Sequence, residues 1–185
     1  MSIKQFNGSY IANEDRLLFR FNTADDSEIR FWLTRRITFF ILAATAHLVE
    51  KQLEKIHPKT TAKVISEFQQ ETAREKADFS TAYQAVTKFP IGADPVLIVD
   101  VRCTLLEVEG QSVMSMDFVM QSGGQINMKL ALATLQTMRV LLERLVLQSR
   151  WTDGPDAWIQ NGVSAATEEV AGLPLSPSSD PKQVH

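Results

Sequence analysis

The stretch that decides the fold is Arg16 to Ile56, RLLFRFNTADDSEIRFWLTRRITFFILAATAHLVEKQLEKI. In its first part Leu17, Phe19 and Phe21 alternate with Arg16, Leu18, Arg20 and Asn22. That period of two marks a strand with one face on a core. Thr23-Ala24-Asp25-Asp26-Ser27 is a polar turn, since Asp and Ser side chains bond nearby backbone groups. Ile29, Phe31 and Leu33 then alternate with Glu28, Arg30, Trp32 and Thr34. Two such runs with a short polar link predict a β-hairpin.

At Thr34 the period changes. Its hydroxyl can accept from a free amide of a first helical turn, and Ile37, Phe40, Ile41, Ala44 and Leu48 follow at helical steps of three and four. The spacing predicts a helix over about 34–57, apolar on nearly every side as far as Val49 and emerging at Glu50, Lys51, Glu54 and Lys55. His57-Pro58 stops it, because proline disfavours helix in the residue before it. The apolar part is about 13 residues, short of the roughly 20 needed to span a bilayer.

Working outward, Ile3, Phe6, Tyr10 and Ile11 predict a first strand over 3–12, with Asn13-Glu14-Asp15 as the turn into the hairpin. Residues 60–83 are rich in Ala, Glu, Gln and Lys, which suit helix. Val64, Ile65, Phe68, Phe79 and Tyr83 are the sparse apolar positions with which one or two exposed helices would cover the core. Phe89 to Pro95 breaks the helix, and Val96 to Glu107 is a long β run. Met114, Met116, Phe118 and Met120 alternate with Val113, Ser115, Asp117 and Val119. Ser122-Gly123-Gly124 turns the chain into Ile126, Met128 and Leu130, with glycine supplying positive φ at little cost. A last helix over about 130–150 carries Leu135, Met138, Leu142 and Leu145 in one stripe.

The second half echoes the first at an offset of 97: Phe21 with Phe118, Ile29 with Ile126, Leu33 with Leu130, Leu48 with Leu145. The echo is one of element order, not of residue identity. The expected fold is α+β, an antiparallel sheet packed by helices. It reads either as a tandem βββα repeat (units 1–57 and 95–150, with a helical insert at 58–89) or as a single meander. Either way 1–150 forms one domain. Residues 151–185, rich in Gly, Pro and Ser, read as a flexible tail. Trp158-Ile159 and Leu173-Pro174-Leu175 are its apolar spots, either docking motifs or inert.

Composition narrows function. Apolar residues make up 44%, enough for a core, and the net charge of −3 gives no global pull towards nucleic acid or acidic lipid. One cysteine, Cys103, cannot form an internal disulfide. Met1 to Gln5 lacks the apolar run of a secretory signal. The expectation is the cytoplasm, where the sequon Asn7-Gly8-Ser9 has no meaning, and no membrane association.

No nucleophile elbow, phosphate loop or dinucleotide fingerprint is present in the sequence. Cys103 shares strand parity with Val99, Val101 and Leu105, which suits burial better than nucleophilic attack. His47, Glu50 and Glu54 share a helix face, but a metal would need further ligands, and a solvated Glu/Lys face explains them. Asp25, Asp26 and Glu28, with Glu14 and Asp15 nearby, read as turn chemistry rather than an acid–base pair. No enzyme, cofactor or metal is expected.

The oddity is Arg35-Arg36 in the first turn of a helix, where the macrodipole favours anions. Free amides beside two guanidinium groups would suit an anion. Arg16, Arg20, Arg30 and Trp32 lie on the non-core parity of the hairpin, so the candidate binding surface is Arg16, Arg20, Arg30, Trp32, Arg35 and Arg36. Arginines around a tryptophan suit a protein hot spot or a nucleic-acid stacking face. The plainer alternative is that they pair internally with Glu28, Asp25, Asp26 or the carboxylates of 60–83. The resulting expectation is a non-enzymatic binding or assembly protein, a homo-oligomer with a protein partner. The Met-rich strand 113–120 would offer an adaptable surface or simply core. A nucleic-acid-binding domain using the arginine/tryptophan face is the alternative.

Overall fold

Each half of the chain folds a three-stranded antiparallel meander and follows it with helix. In this computed structural model, which describes residues 2–84 and 86–153, β1 (Ile3–Ile11), β2 (Arg16–Thr23) and β3 (Glu28–Thr34) lead into α1 (Arg35–Glu54) and α2 (Lys59–Lys76). Then β4 (Val96–Val108), β5 (Gln111–Met120) and β6 (Gln125–Ala131) lead into α3 (Leu132–Gln148). The fold is α+β, as the sequence patterns predict. The offset of 97 recurs in the elements: β3 and β6 correspond end to end (28 to 125, 34 to 131), and α1 and α3 begin at 35 and 132.

The six strands form one sheet in sequence order. All neighbours are antiparallel except at the centre, where β3 and β4 run parallel and share only the pairs Phe31–Val96 and Trp32–Leu97. Side chains bridge this thin seam. Phe31 on β3 stacks on Phe118 of β5 with centroids 5.0 Å apart. Phe6, Phe19 and Phe21 continue the aromatic row towards β1.

The helices cross over. α1 lies mainly against β4, the first strand of the other triplet, while α3 lies against β1 as well as β5 and β6. Leu135, Met138, Leu142 and Leu145 are buried as their spacing predicts, and α3 is inside the molecule on most of its sides. Gly8 of β1 touches it: a Cβ there would sit 2.6 Å from Leu145 Cδ1 and 3.1 Å from the Leu18 carbonyl oxygen.

Thr34 caps α1, accepting from the Ile37 amide. The buried stripe of α1 differs from the expected one. It is Ile37, Thr38, Ile41, Thr45 and Val49, and Phe40 is 45% exposed, with Phe39 also at the surface. Threonine can turn inward because its hydroxyl donates within the helix: Thr38 Oγ1 to the Thr34 carbonyl at 3.0 Å, Thr45 Oγ1 to that of Ile41 at 2.7 Å. The helix is thereby rotated, and two phenylalanines face out.

α2 also departs from expectation. It ends at Lys76, not near Tyr83, and its buried positions are Ala62 and Gln70. Val64 and Phe68, expected to cover the core, point away from it. α2 packs on α1 and α3 through Ala62 and Gln70, and Gln70 Nε2 and Arg74 donate to Glu143 of α3. In β4 a bulge between Ile98 and Asp100 breaks the alternation. Ile98 and Val101 are buried while Val99, expected to face the core, is exposed, because a bulge inserts one unpaired residue. Met114, Met116 and Met128 are core, not an adaptable surface. Trp151, the first residue assigned to the tail, is 4% exposed and packs on Tyr10 and Phe39. The apolar spots Trp158-Ile159 and Leu173-Pro174-Leu175 lie outside the described residues.

Candidate interaction surfaces

The arginine face of the hairpin assembles as the strand parity predicts. Register places Arg20 opposite Arg30, Leu18 opposite Trp32 and Arg16 opposite Thr34. The two facing arginines are held by a segment from far along the chain. Residues 77–95 leave α2, pass the edge strand β1 and cross this face of the sheet. Gln5 on β1 donates to the Ala82 carbonyl and accepts from the Gln84 amide. Asn22 on β2 donates to the Gln84 carbonyl, and beside β3 the Glu28 amide donates to the Lys88 carbonyl.

The strap and the neighbouring strands supply the partners. Arg20 donates to Asn7 Oδ1 at 2.9 Å and lies 4.4 Å over the Tyr83 ring. Arg30 pairs with Glu28, donates to the Ala93 carbonyl at 2.8 Å and lies over the Phe89 ring. Glu28 is only 2% exposed. The buried Glu28 carboxylate neutralises Arg30 and so eases the facing of the two arginines. Burial, with the charge of Glu28 adding to it, raises the Tyr83 phenol well above its usual range, so it stays neutral beside Arg20.

The other arginines have partners too. Arg16 lies 3.6 Å from Glu14, and Arg35 lies 3.3 Å from Asp15 and over the Trp151 ring. Trp32 is half-buried at the seam beside Leu97. Arg36 is exposed, and its Nη2 donates to the Val99 carbonyl at 2.8 Å, beside the bulge of β4. The bulge thus links two outward features: Arg36, Phe40, Ala43 and His47 form one exposed stripe of α1, and exposed Val99 lies beside its start. The apolar part of this stripe was missed from the sequence, where Phe40 belongs to the expected core set.

The acidic turn is structural chemistry. Hydrogen bonds from Thr23 and then Ser27 lower the Asp25 carboxyl, and the Thr87 hydroxyl, 2.6 Å away, lowers Asp26. Asp78 in the strap is held at about 2 by bonds from Ser80 and Thr81. Glu54 is taken by Lys51 Nζ at 2.6 Å. Among the described residues no three His, Cys, Asp or Glu side chains are placed to hold a metal ion, and no helix is long and apolar enough to cross a membrane.

Two clefts accompany these surfaces. An open one of about 540 Å³ lies between β1, the strap and α3, with Lys4, Asn7, Asp78 and Arg144 in its walls. The other, about 590 Å³, lies beside α2 and reaches α1 and α3. In it Arg139 is 7% exposed, donates to Gln136 and lies 3.8 Å from Glu143.

Cys103 packs against the core, and burial pushes its thiol up to about 11, with the Asp117 carboxylate adding to the shift. The thiolate is the reactive form. Against the ordinary value of 9.0, a thiol at about 11 has roughly 100-fold less thiolate at pH 8. Iodoacetamide at pH 8 is therefore expected to alkylate the native protein about 100-fold more slowly than the urea-unfolded chain, read by intact mass; equal rates would contradict the burial.

No family model, no curated protein and no solved structure matches the chain.

Proposed function

We propose that the chain is a non-enzymatic, cytoplasmic binding or assembly protein that acts through protein–protein contact. The supporting observation is the exposed stripe of α1, where Phe40 and Val99 accompany Arg36. An arginine among exposed aromatics is the composition of interface hot spots. Nothing in local helix chemistry calls for an outward Phe40, and its exposure to water is unfavourable until a partner covers it. The hairpin arginines favour the nucleic-acid reading less, because Arg20 and Arg30 already face Asn7, Tyr83, Glu28 and Phe89.

The test is affinity capture from a native lysate, split into nuclease-treated and untreated halves, with an Arg36→Glu/Phe40→Asp variant beside the wild type. Both side chains are exposed, so the variant is expected to keep its far-UV CD and melting temperature. The expected result is a stoichiometric protein partner that survives nuclease and falls at least about tenfold in the variant. Nucleic acid recovered only without nuclease, or identical recovery by both proteins, would overturn the reading.

A further inference from the structure

We propose that α2 is a self-association helix, its outer face covering the same face of a second copy, antiparallel about a twofold axis between Lys63 and Glu67. This deepens the assembly reading, yet it stands on a different surface from the α1 stripe, so either can fail alone.

The first observation is apolar exposure. Ile56, Val64 and Phe68 are 74%, 63% and 72% exposed, the three largest values among outward apolar side chains apart from Leu147. Val64 and Phe68 stand four apart in α2, so they line one side of that helix, and Ile56 lies in the turn that precedes it. The buried positions Ala62 and Gln70 lie on the opposite side. This face is therefore not waiting for the chain's own core.

The second observation is charge. Within α2, Lys59 and Lys63 are followed at the same step by Glu67 and Glu71, and all four are exposed. The sign reverses once, between Lys63 and Glu67. A twofold interface brings residue i to j and j to i. Antiparallel pairing about that reversal sets Lys63 against Glu67 and Lys59 against Glu71, each twice. Parallel pairing sets like charge on like. The pattern thus complements itself in one orientation only.

Existing pairs do not compete strongly. Lys63 and Glu67 are 3.9 Å apart within one helix, and Glu71 meets Arg74 at 2.7 Å. Pairs this exposed are worth little and exchange readily. Arg74, the cation that would spoil the acidic half, is also drawn inward to Glu143 at 2.9 Å. The groove of about 590 Å³ beside Val64 and Phe68 makes α2 a ridge with a depression next to it. In a twofold pair each ridge enters the other's depression, the usual way helices pack.

The experiment is analytical ultracentrifugation of the full chain from 1 to 100 µM at low and high salt. The expected result is a monomer–dimer equilibrium, with dissociation at least tenfold easier in Val64→Asp/Phe68→Asp. Lys59→Glu/Lys63→Glu and Glu67→Lys/Glu71→Lys are each expected to be monomeric alone and to form a heterodimer when mixed. The variant carrying all four changes is expected to regain the homodimer, which shows that the single swaps still fold. A wild-type monomer at 100 µM would overturn the proposal, as would a dimer indifferent to these changes. A dimer lost in Arg36→Glu/Phe40→Asp but kept in the α2 variants would place self-association on α1 and overturn it too.

Discussion

Phe118→Ala is expected to lower the free energy of unfolding by about 3–5 kcal/mol, read from urea denaturation. Phe118 has no exposed surface, and its ring stacks on Phe31 across the seam. The backbone contributes two register pairs at that seam, so side chains must join the halves. Truncating Phe118 leaves a cavity where the sheet has least backbone support. A double-mutant cycle with Phe31→Leu is expected to give a coupling of about 0.5–1.5 kcal/mol, the usual worth of an aromatic pair. A loss below about 1 kcal/mol would mean that the seam does not depend on this stack.

Gly8→Val is expected to destabilise by about 1–3 kcal/mol, the range for overpacking. In an unencumbered edge strand the same change would help, because valine suits strands better than glycine. The sign therefore tests the close approach of β1 to α3. The atom in the way, Leu145 Cδ1, ends a side chain but is buried and cannot swing into water. In a Leu145→Ala background the added cost of Gly8→Val is expected to fall by more than half. An unchanged cost would point to the Leu18 carbonyl, 3.1 Å from the same Cβ, as the obstacle.

Local chemistry was legible in the sequence. Strand alternation, the Thr34 cap and the glycine turn placed the six strands, α1 and α3 near their observed positions, while the helix expected to run on to about Tyr83 ends at Lys76. What was not legible depended on distant residues. The parallel seam leaves no local pattern because it needs only two register pairs. The rotation of α1 came from threonines whose hydroxyls are satisfied inside the helix, so Thr38 and Thr45 pack inward and Phe40 does not. α2 turns Ala62 and Gln70 inward, so Val64 and Phe68, read as core, face water. Val99 escaped because one bulge reverses the parity that Cys103 and Val101 share. For the arginine surface, strand parity put Arg20 and Arg30 on one face of the hairpin. It could not foretell Tyr83 and Phe89, which arrive some sixty residues later.

The crossing of the helices bears on how the chain is made. β1 is completed by α3, whose Leu145 is translated 137 residues after Gly8. At cellular elongation rates that is a wait of roughly 7–27 s. During it the aromatic row Phe6, Phe19, Phe21 and Phe31 has α1 and α2 for company but not the helix that belongs over β1. Until α3 emerges, the face of β1 that it covers stays an open, strand-forming apolar surface.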